Sequence, residues 1–456
     1  MIQAKQVHFV GVGGVGMSAI AKVLIQKGLK VSGSDMSSST LTAELESLGA
    51  RIYLGHNAAN VNGAEIVIRS SAIPDDNPEI QEARSKGLPV LHRSEILAML
   101  LNENRGIAVS GAHGKTTITG MIATILEMAR LDPSVLVGGE LVGTGFHAKY
   151  GMGPYVVAEA DESDGSFLKY HPFLAVVTSI EADHLENYGG SFTNLIKAYQ
   201  AFLGQLKPGG VAVVGAQAAR MLQGQLPSAV TYGLDDPDCD YTGRILRLEG
   251  FDSQLEVSRR GRVMGTLELK MPGAHNLENA LAASAACLEL GLEFSQIKEG
   301  LAQFQGIKRR FQLVQHNRER DILIIDDYGH HPTELRAALR AAKEIFGRRV
   351  VAVFQPHRFN RTQFLFDEFA NSFSDADVVA VAPIYAPPPE TPIPGVSSEK
   401  LAEAILAVER KPVEAFSDLG SVTDWLADNL RSGDLVITLG AGNIGLVGQA
   451  LARRLD

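Results

Sequence analysis

The residues of this chain best equipped for chemistry begin with Gly111, Ala112, His113, Gly114, Lys115, Thr116 and Thr117, which follow the β-branched run IAVS and lead into a helix-like segment. A glycine-rich turn between strand and helix lets successive backbone N–H groups face phosphate oxygens, while a lysine adds a fixed cation and a threonine hydroxyl a donor for magnesium. Strict phosphate-loop spacing fails, because its first glycine would fall at Val109. The pattern therefore predicts a shortened turn in which Gly111 and Gly114 free the backbone. Charge-assisted bonds are worth about 1.5 to 3 kcal/mol each, against roughly 0.3 to 1 for a helix dipole, so Lys115 should dominate. The competing reading is a structural turn with an incidental exposed lysine.

Two acidic strand ends follow. Glu159, Asp161, Glu162 and Asp164 crowd into EADESD after the run YVVA, and SIEADH offers Glu181, Asp183 and His184. Carboxylates at strand ends suit a magnesium ion bridging nucleotide oxygens, although acidic loops are often simply solvated. Histidine is an unusual magnesium ligand, and chemistry alone does not nominate His184. Near the start, Gly11, Gly13 and Gly16 satisfy G-x-G-x-x-G directly after a predicted strand, with Gly14 inside the turn and Asp35 where a ribose-binding acid would sit. A tight turn that needs glycine for steric reasons alone fits equally well. In the last third, DDYGHHPTE brings Asp326, Asp327, Tyr328, His330 and His331 beyond the run ILII, and FQPHRFNRT brings His357, Arg358 and Arg361 beyond VVAVF. Two arginines three apart on a turn form a fork for a carboxylate or phosphate, or else a surface ion-pair cluster of little energetic weight.

Each of these motifs needs a strand to end beneath it. Short β-branched runs closed by glycine loops recur along the chain, each followed by a helical segment, which predicts parallel α/β layers. VHFVGVGGVG, IAVSGAHGKTT and DLVITLGAGNIG open three such units. At 456 residues there is chain for about three domains, with boundaries expected near 103 and 309, the second at the basic GIKRRF. The proline-dense APPPETPIPG from Ala386 reads as a surface loop beside the cleft of the last domain.

Composition removes several classes. With 45% hydrophobic and 21% charged residues the chain is ordinary globular protein and not disordered. Its 42 basic and 52 acidic residues leave a net charge of −10, which repels a phosphate backbone, so no nucleic-acid partner is expected. Cys239 and Cys287 are too few for a disulfide framework or a closed zinc site and point to a reducing compartment. The apolar start lacks a basic flank and is broken by glycines, and no run is long enough to span a membrane. The expectation is a cytoplasmic protein without a membrane partner, either monomer or homodimer.

In order and spacing, GVGGVGMSAIA, GAHGKTT, EADESD, EADH, HNLENA, DDYGHHPTE, FQPHRFNRT and GAGNIG resemble the muramyl ligase family of ATP-dependent amide-forming enzymes, and among them its alanine-adding branch. DDYGHHPTE with PHR-x-x-RT is the most specific pair, and the resemblance covers essentially the whole chain. Ala112 departs from the family's usual threonine, removing a hydroxyl but leaving the backbone donors. The resemblance implies an α/β protein of three domains. Residues 1–102 would be Rossmann-like and hold a UDP-sugar, residues 103–308 would carry a P-loop ATPase-type parallel sheet and hold ATP, and residues 309–456 would be Rossmann-like and hold the amino acid.

By that matching Gly11, Gly13, Gly14 and Gly16 would serve a UDP-sugar pyrophosphate and not NAD, with Asp35, Ser70 and Ser71 near the uridine. Gly111 to Thr117 would take the ATP phosphates, Asn276 and Asn279 the adenine, and Thr116, Glu159 and His184 two magnesium ions. Tyr328, His330, His357, Arg358 and Arg361 would face the amino acid, His330 as proton acceptor or positioning group. The implied reaction joins L-alanine to the lactyl carboxylate of UDP-N-acetylmuramate through an acyl phosphate, in peptidoglycan precursor synthesis. Rival readings are a recycling ligase adding a murein tripeptide to the same UDP-sugar, an NAD-dependent dehydrogenase, and a P-loop protein using ATP as a switch.

Overall fold

The computed structural model describes residues 4–143, 147–222, 229–386 and 390–455, so Pro387–Pro389 of the proline-dense segment lie outside the described residues. The chain forms two compact units, Met1–Gly306 and Ile307–Asp456. The first unit contains two sheets and the second contains one.

The first sheet is wholly parallel, in the spatial order Arg51–Leu54, Lys30–Asp35, Gln6–Val10, Ile66–Arg69, Val90–His92. Its order reverses between Gln6–Val10 and Ile66–Arg69, and a crevice opens at the carboxyl ends of strands at such a point. Gly11 and Ser70 are the residues that follow those two strands. Val7, Phe9 and Val10 are fully buried, the near-continuous apolar reading expected of a strand covered on both faces.

The second sheet has ten strands. Its parallel heart runs Ala229–Leu234, Val211–Gly215, Leu174–Val177, Arg105–Ser110, Tyr155–Glu159, Ser134–Leu136. Sequence reading anticipated only this parallel part. The structure adds Tyr241–Glu249, Asp252–Arg259 and Arg262–Leu269, the last two joined antiparallel, and at the other edge Ala148–Lys149, antiparallel to Ser134–Leu136. In Asp252–Arg259, buried Ser253, Leu255 and Val257 alternate with more accessible residues, the pattern of a sheet covered on one face only. The helix Ala274–Glu289, with Leu277, Ala280 and Leu281 fully buried, carries HNLENA back toward the phosphate turn.

In the second unit the order is Gln312–Asn317, Ile322–Asp327, Asp434–Leu439, Arg349–Phe354, Val378–Val381, Val413–Ala415, parallel except for the first pair. The helices Leu419–Asn429 and Gly445–Leu455 cover one face through Val422, Leu426, Val447 and Leu451. The loops with DDYGHHPTE, PHR and GAGNIG all leave from the carboxyl ends of adjacent strands. Cys239 and Cys287 are buried free thiols. Among the described residues no helix is long and apolar enough to cross a membrane.

Candidate active site

The phosphate turn leaves the strand Arg105–Ser110 and reaches the helix Lys115–Met128 through two glycines in the left-handed half of backbone space, Gly111 at φ +126° and Gly114 at φ +80°. A methyl group on Gly111 would strike Thr178 Oγ1 and lie 2.9 Å from the Thr178 nitrogen, and one on Gly114 would strike Asn279 Oδ1. Conformation and space both exclude a side chain, as a turn that bares its backbone requires. The Ala112 N–H, however, donates to the Ser179 carbonyl at 2.9 Å, and Thr178 Oγ1 donates to the His113 carbonyl at 2.6 Å. Ala112 thus ties the turn to the neighbouring strand end, and its amide is not a spare donor for phosphate.

Lys115 opens the helix. Its Nζ donates to the Gly111 carbonyl at 2.6 Å and to both carboxylate oxygens of Glu162 at 2.7 and 3.0 Å. Sequence reading nominated EADESD as a cluster and singled out Glu159. The structure gives the contact with the lysine to Glu162, a pairing across 47 residues that no local pattern announces. Glu159 ends the strand Tyr155–Glu159, and its Oε1 accepts the Gly138 N–H at 2.6 Å. His184 stands in left-handed backbone at φ +52°, half-exposed, with Asp183 at 3.6 Å and Glu186 at 3.7 Å from its ring nitrogens. Among the described residues no three His, Cys, Asp or Glu side chains converge as a ready metal cage. Asn276 is buried with its amide nitrogen donating to the Pro272 carbonyl at 2.7 Å, whereas Asn279 lies against Gly114 of the turn.

Within the first unit a cavity of about 350 Å³ is lined by Gly11, Gly14, Gly16, Ser70, Arg93, Glu159 and Asp161, among others. It brings the first glycine turn and the acidic end of the second sheet to one space, although they are about 150 positions apart in the chain. Arg93, at the start of the helix Arg93–Glu103, was missed in the sequence. Its guanidinium would lie 3.5 Å from a Cβ on Gly16, and it stands 3.9 Å from the carboxylates of Asp161 and Asp164, a cation beside the turn that would meet a pyrophosphate. Asp35 accepts the Gly13 N–H at 2.8 Å, so it braces the glycine turn itself. Ser71 Oγ pairs with His92 Nε2 at 3.0 Å.

In the second unit the carboxyl ends of three strands bring the remaining nominated residues together. Asp327 accepts the backbone N–H groups of Gly329 and Phe311 at 2.7 Å each, and His331 caps the helix Pro332–Phe346, so both shape the loop. His330 packs edge-on to Tyr328, with ring centres 5.3 Å apart, and to His357 at 5.9 Å. His357 in turn stacks on Tyr385 at 5.7 Å. Burial depresses His330 below the usual imidazole range, and burial with the charges of Arg361, His330 and Arg358 pushes His357 down to about 4. Both rings are therefore neutral at pH 7, and the same shift makes His357 a weak base. Arg358, exposed and at φ +69°, starts the turn that carries Arg361, and the Arg361 Nη1 is shielded from solvent without a hydrogen-bond partner among the described residues.

Behind this group Arg309 clamps the GAGNIG loop. Its guanidinium donates to the carbonyls of Gly440 and Gly442, the latter at 2.8 Å, pairs with Asp326 at 3.2 Å and lies 5.2 Å over the Tyr328 ring. Sequence reading used GIKRRF only as a boundary marker. The signal was a basic run directly before Gln312–Asn317, the strand that pairs antiparallel with Ile322–Asp327 and its two terminal aspartates.

Comparison with known proteins gives the same order of parts. Residues 6–105 match the model described as Mur ligase family, catalytic domain, residues 109–287 the Mur ligase middle domain, and residues 309–442 the Mur ligase, glutamate ligase domain. The chain is 47% identical to the UDP-N-acetylmuramate–L-alanine ligase of Symbiobacterium thermophilum, over 100% of this chain and 96% of that one. It is 45% identical to the ligase of the same name from Trichlorobacter lovleyi, over 99% of each. Among solved structures, the UDP-N-acetylmuramate-alanine ligase of Thermotoga maritima aligns with a TM-score of 0.82 at 31% identity, covering 98% of both chains. A murein peptide ligase from Psychrobacter arcticus shares the fold at a TM-score of 0.69 and 23% identity, over 99% of this chain and 98% of that one. With all three domain models matched in order and full-length relatives well above 40% identity, this chain belongs to the Mur ligase family.

Proposed function

We propose that the protein is an ATP-dependent ligase that joins L-alanine to the lactyl carboxylate of UDP-N-acetylmuramate, giving ADP and phosphate. The observation that carries this reading is the cavity in which the Gly11–Gly16 turn, Arg93 and Glu159 meet. A UDP-sugar anchored by its pyrophosphate at that turn can present its carboxylate toward the strand ends that serve a nucleotide. We assign residues 1–102, 103–308 and 309–456 to the UDP-sugar, ATP and amino acid respectively.

A carboxylate resists attack by an amine because its oxygen is a very poor leaving group. One lactyl oxygen therefore attacks the γ-phosphorus, the bond to the bridging oxygen breaks, ADP departs, and an acyl phosphate remains. Such transfer requires positioning and charge neutralisation and no covalent bond to the protein. Lys115, released from Glu162 when phosphate arrives, meets the γ-phosphate, and backbone N–H groups of the turn meet the rest. The alanine amine then attacks the acyl carbon, phosphate leaves with the former lactyl oxygen, and the nitrogen sheds its proton to His330 or water. Arg361, with Arg358 beside it, holds the alanine carboxylate.

Magnesium belongs to the same reading. Thr116, Glu159 and His184 supply scattered donors and not a closed cage, which suits an ion that keeps waters and completes its shell with phosphate oxygens. Bound there, magnesium would neutralise charge on the phosphoryl oxygens. A cytoplasmic location and a monomer or homodimer complete the proposal. Incubation with ATP, magnesium, UDP-N-acetylmuramate and single amino acids, with the murein tripeptide as rival acceptor, tests it. Phosphate release and product mass should require the UDP-sugar and favour alanine, and release without UDP-sugar would refute the reading.

A further inference from the structure

Among the described residues of the second unit, the polar atoms closed off from solvent without a hydrogen-bond partner include Gln355 Oε1 and, in neighbouring segments, the three atoms His357 Nδ1, Arg361 Nη1 and Glu390 Oε2. Native folds satisfy nearly all buried polar groups, so three such atoms in neighbouring segments mark a place completed by a ligand. The segments are tied together. His357 and Tyr385 form a parallel bridge and stack, the Arg358 N–H donates to the Tyr385 carbonyl at 2.8 Å, and Glu390 lies five residues beyond Tyr385. The other Glu390 oxygen, Oε1, accepts the Asn360 N–H at 3.1 Å, in the turn that carries Arg361. One carboxylate oxygen is thus spent on placing the side chain, and the other is left for something else.

A free α-amino acid presents a carboxylate and an ammonium on one carbon. The cations of this site answer the first charge, and none of the residues named so far answers the second. An ammonium taken out of water without a counter-charge is strongly disfavoured, so a site for the zwitterion needs an anion near the arginine. We propose that Glu390 receives the ammonium of the incoming amino acid while Arg361 receives its carboxylate, so that the site selects free α-amino acids by both charges. The proposal rests on the ligase reading above and deepens it. Glu390 then works as part of the amino-acid site.

The test compares the intact enzyme with its Glu390→Gln and Glu390→Asp variants, using L-alanine or hydroxylamine as the nucleophile. Hydroxylamine is neutral and has no carboxylate, so it traps the acyl phosphate as a hydroxamate without using either charge. Glu390→Gln should raise the KM for alanine roughly a hundredfold, the scale of losing one partner of a buried charge pair. The KM values for ATP and the UDP-sugar should hold, hydroxamate should still form, and Glu390→Asp should recover part of the alanine affinity. An unchanged alanine KM in Glu390→Gln overturns the proposal, and so does loss of hydroxamate formation together with alanine kinetics. A wild-type enzyme that forms no hydroxamate instead overturns the ligase reading itself.

Discussion

Lys115 does two things in this structure, and a pair of substitutions separates them. Its side chain is 20% exposed and holds the carboxylate of Glu162, which is only 9% exposed. Lys115→Ala leaves that carboxylate without its cation. Breaking a fully buried pair costs roughly 3 to 5 kcal/mol, and this pair, partly wetted, should fall at about 3 kcal/mol or somewhat below. The same substitution removes a charge-assisted bond to the transferring phosphoryl group. That bond is worth about 3 kcal/mol in the transition state, or roughly a hundredfold in rate. The double variant Lys115→Ala with Glu162→Gln removes the stranded charge. It should recover most of the lost stability, read as the urea midpoint, and none of the lost turnover, read as UDP-sugar-dependent phosphate release. If activity returns along with stability, the lysine is a structural partner of Glu162 and the phosphate assignment is wrong.

Other outcomes follow from the same geometry. Gly111→Ala forces a methyl group into Thr178 at a positive φ, and a displacement of about 1 Å at a catalytic turn costs on the order of a hundredfold, so kcat should fall by that much and the strain should lower the melting temperature as well; normal turnover would show that the turn does not meet phosphate. Arg361→Ala should raise the KM for alanine and leave that for ATP alone, and equal changes in both would remove Arg361 from the amino-acid site. Away from the site, Glu79 is fully buried, yet the His8 imidazole at 3.5 Å and hydrogen bonds from Ser34 and Asn60 outweigh that burial and hold it at about 2, below its ordinary 4.5. A carboxylate depressed by folding stabilises above its unfolded pKa. On the order of 3 kcal/mol should therefore disappear as pH falls from about 4.5 to about 2, and Glu79→Gln should flatten that acid limb in denaturant titrations; an unaltered limb would contradict the assignment.

The sequence made legible what is local. Gly111, Gly114 and Lys115 lie within five positions and needed only a strand before them and a helix after. Alternation of β-branched runs with helical segments was enough for the parallel part of each sheet, because strands buried on both faces write their burial as unbroken apolar runs. Less legible was whatever depends on which strands become neighbours. Glu162 reaches Lys115 because Tyr155–Glu159 pairs with Arg105–Ser110, and Thr178 reaches the turn because Leu174–Val177 pairs on the other side. Arg93 meets Gly16 and Arg309 meets Gly440 through packing between segments far apart in the chain, and an isolated arginine in a sequence carries no sign of such a partner. Asp35 shows the converse. Its spacing suited a ribose-binding acid, and in the fold its carboxylate also fastens Gly13 across 22 positions, a hydrogen bond that the spacing fits equally well. The antiparallel strands from Tyr241 to Leu269 bury few positions, alternating with accessible ones along Asp252–Arg259, a weaker imprint than the parallel strands leave.

Activation of the lactyl carboxylate as an acyl phosphate can be followed atom by atom. UDP-N-acetylmuramate labelled with oxygen-18 in that carboxylate, turned over with ATP and L-alanine, should yield inorganic phosphate carrying one labelled oxygen per molecule of amide formed. Phosphate released without label, alongside authentic amide, would mean that the carboxylate never attacked phosphorus.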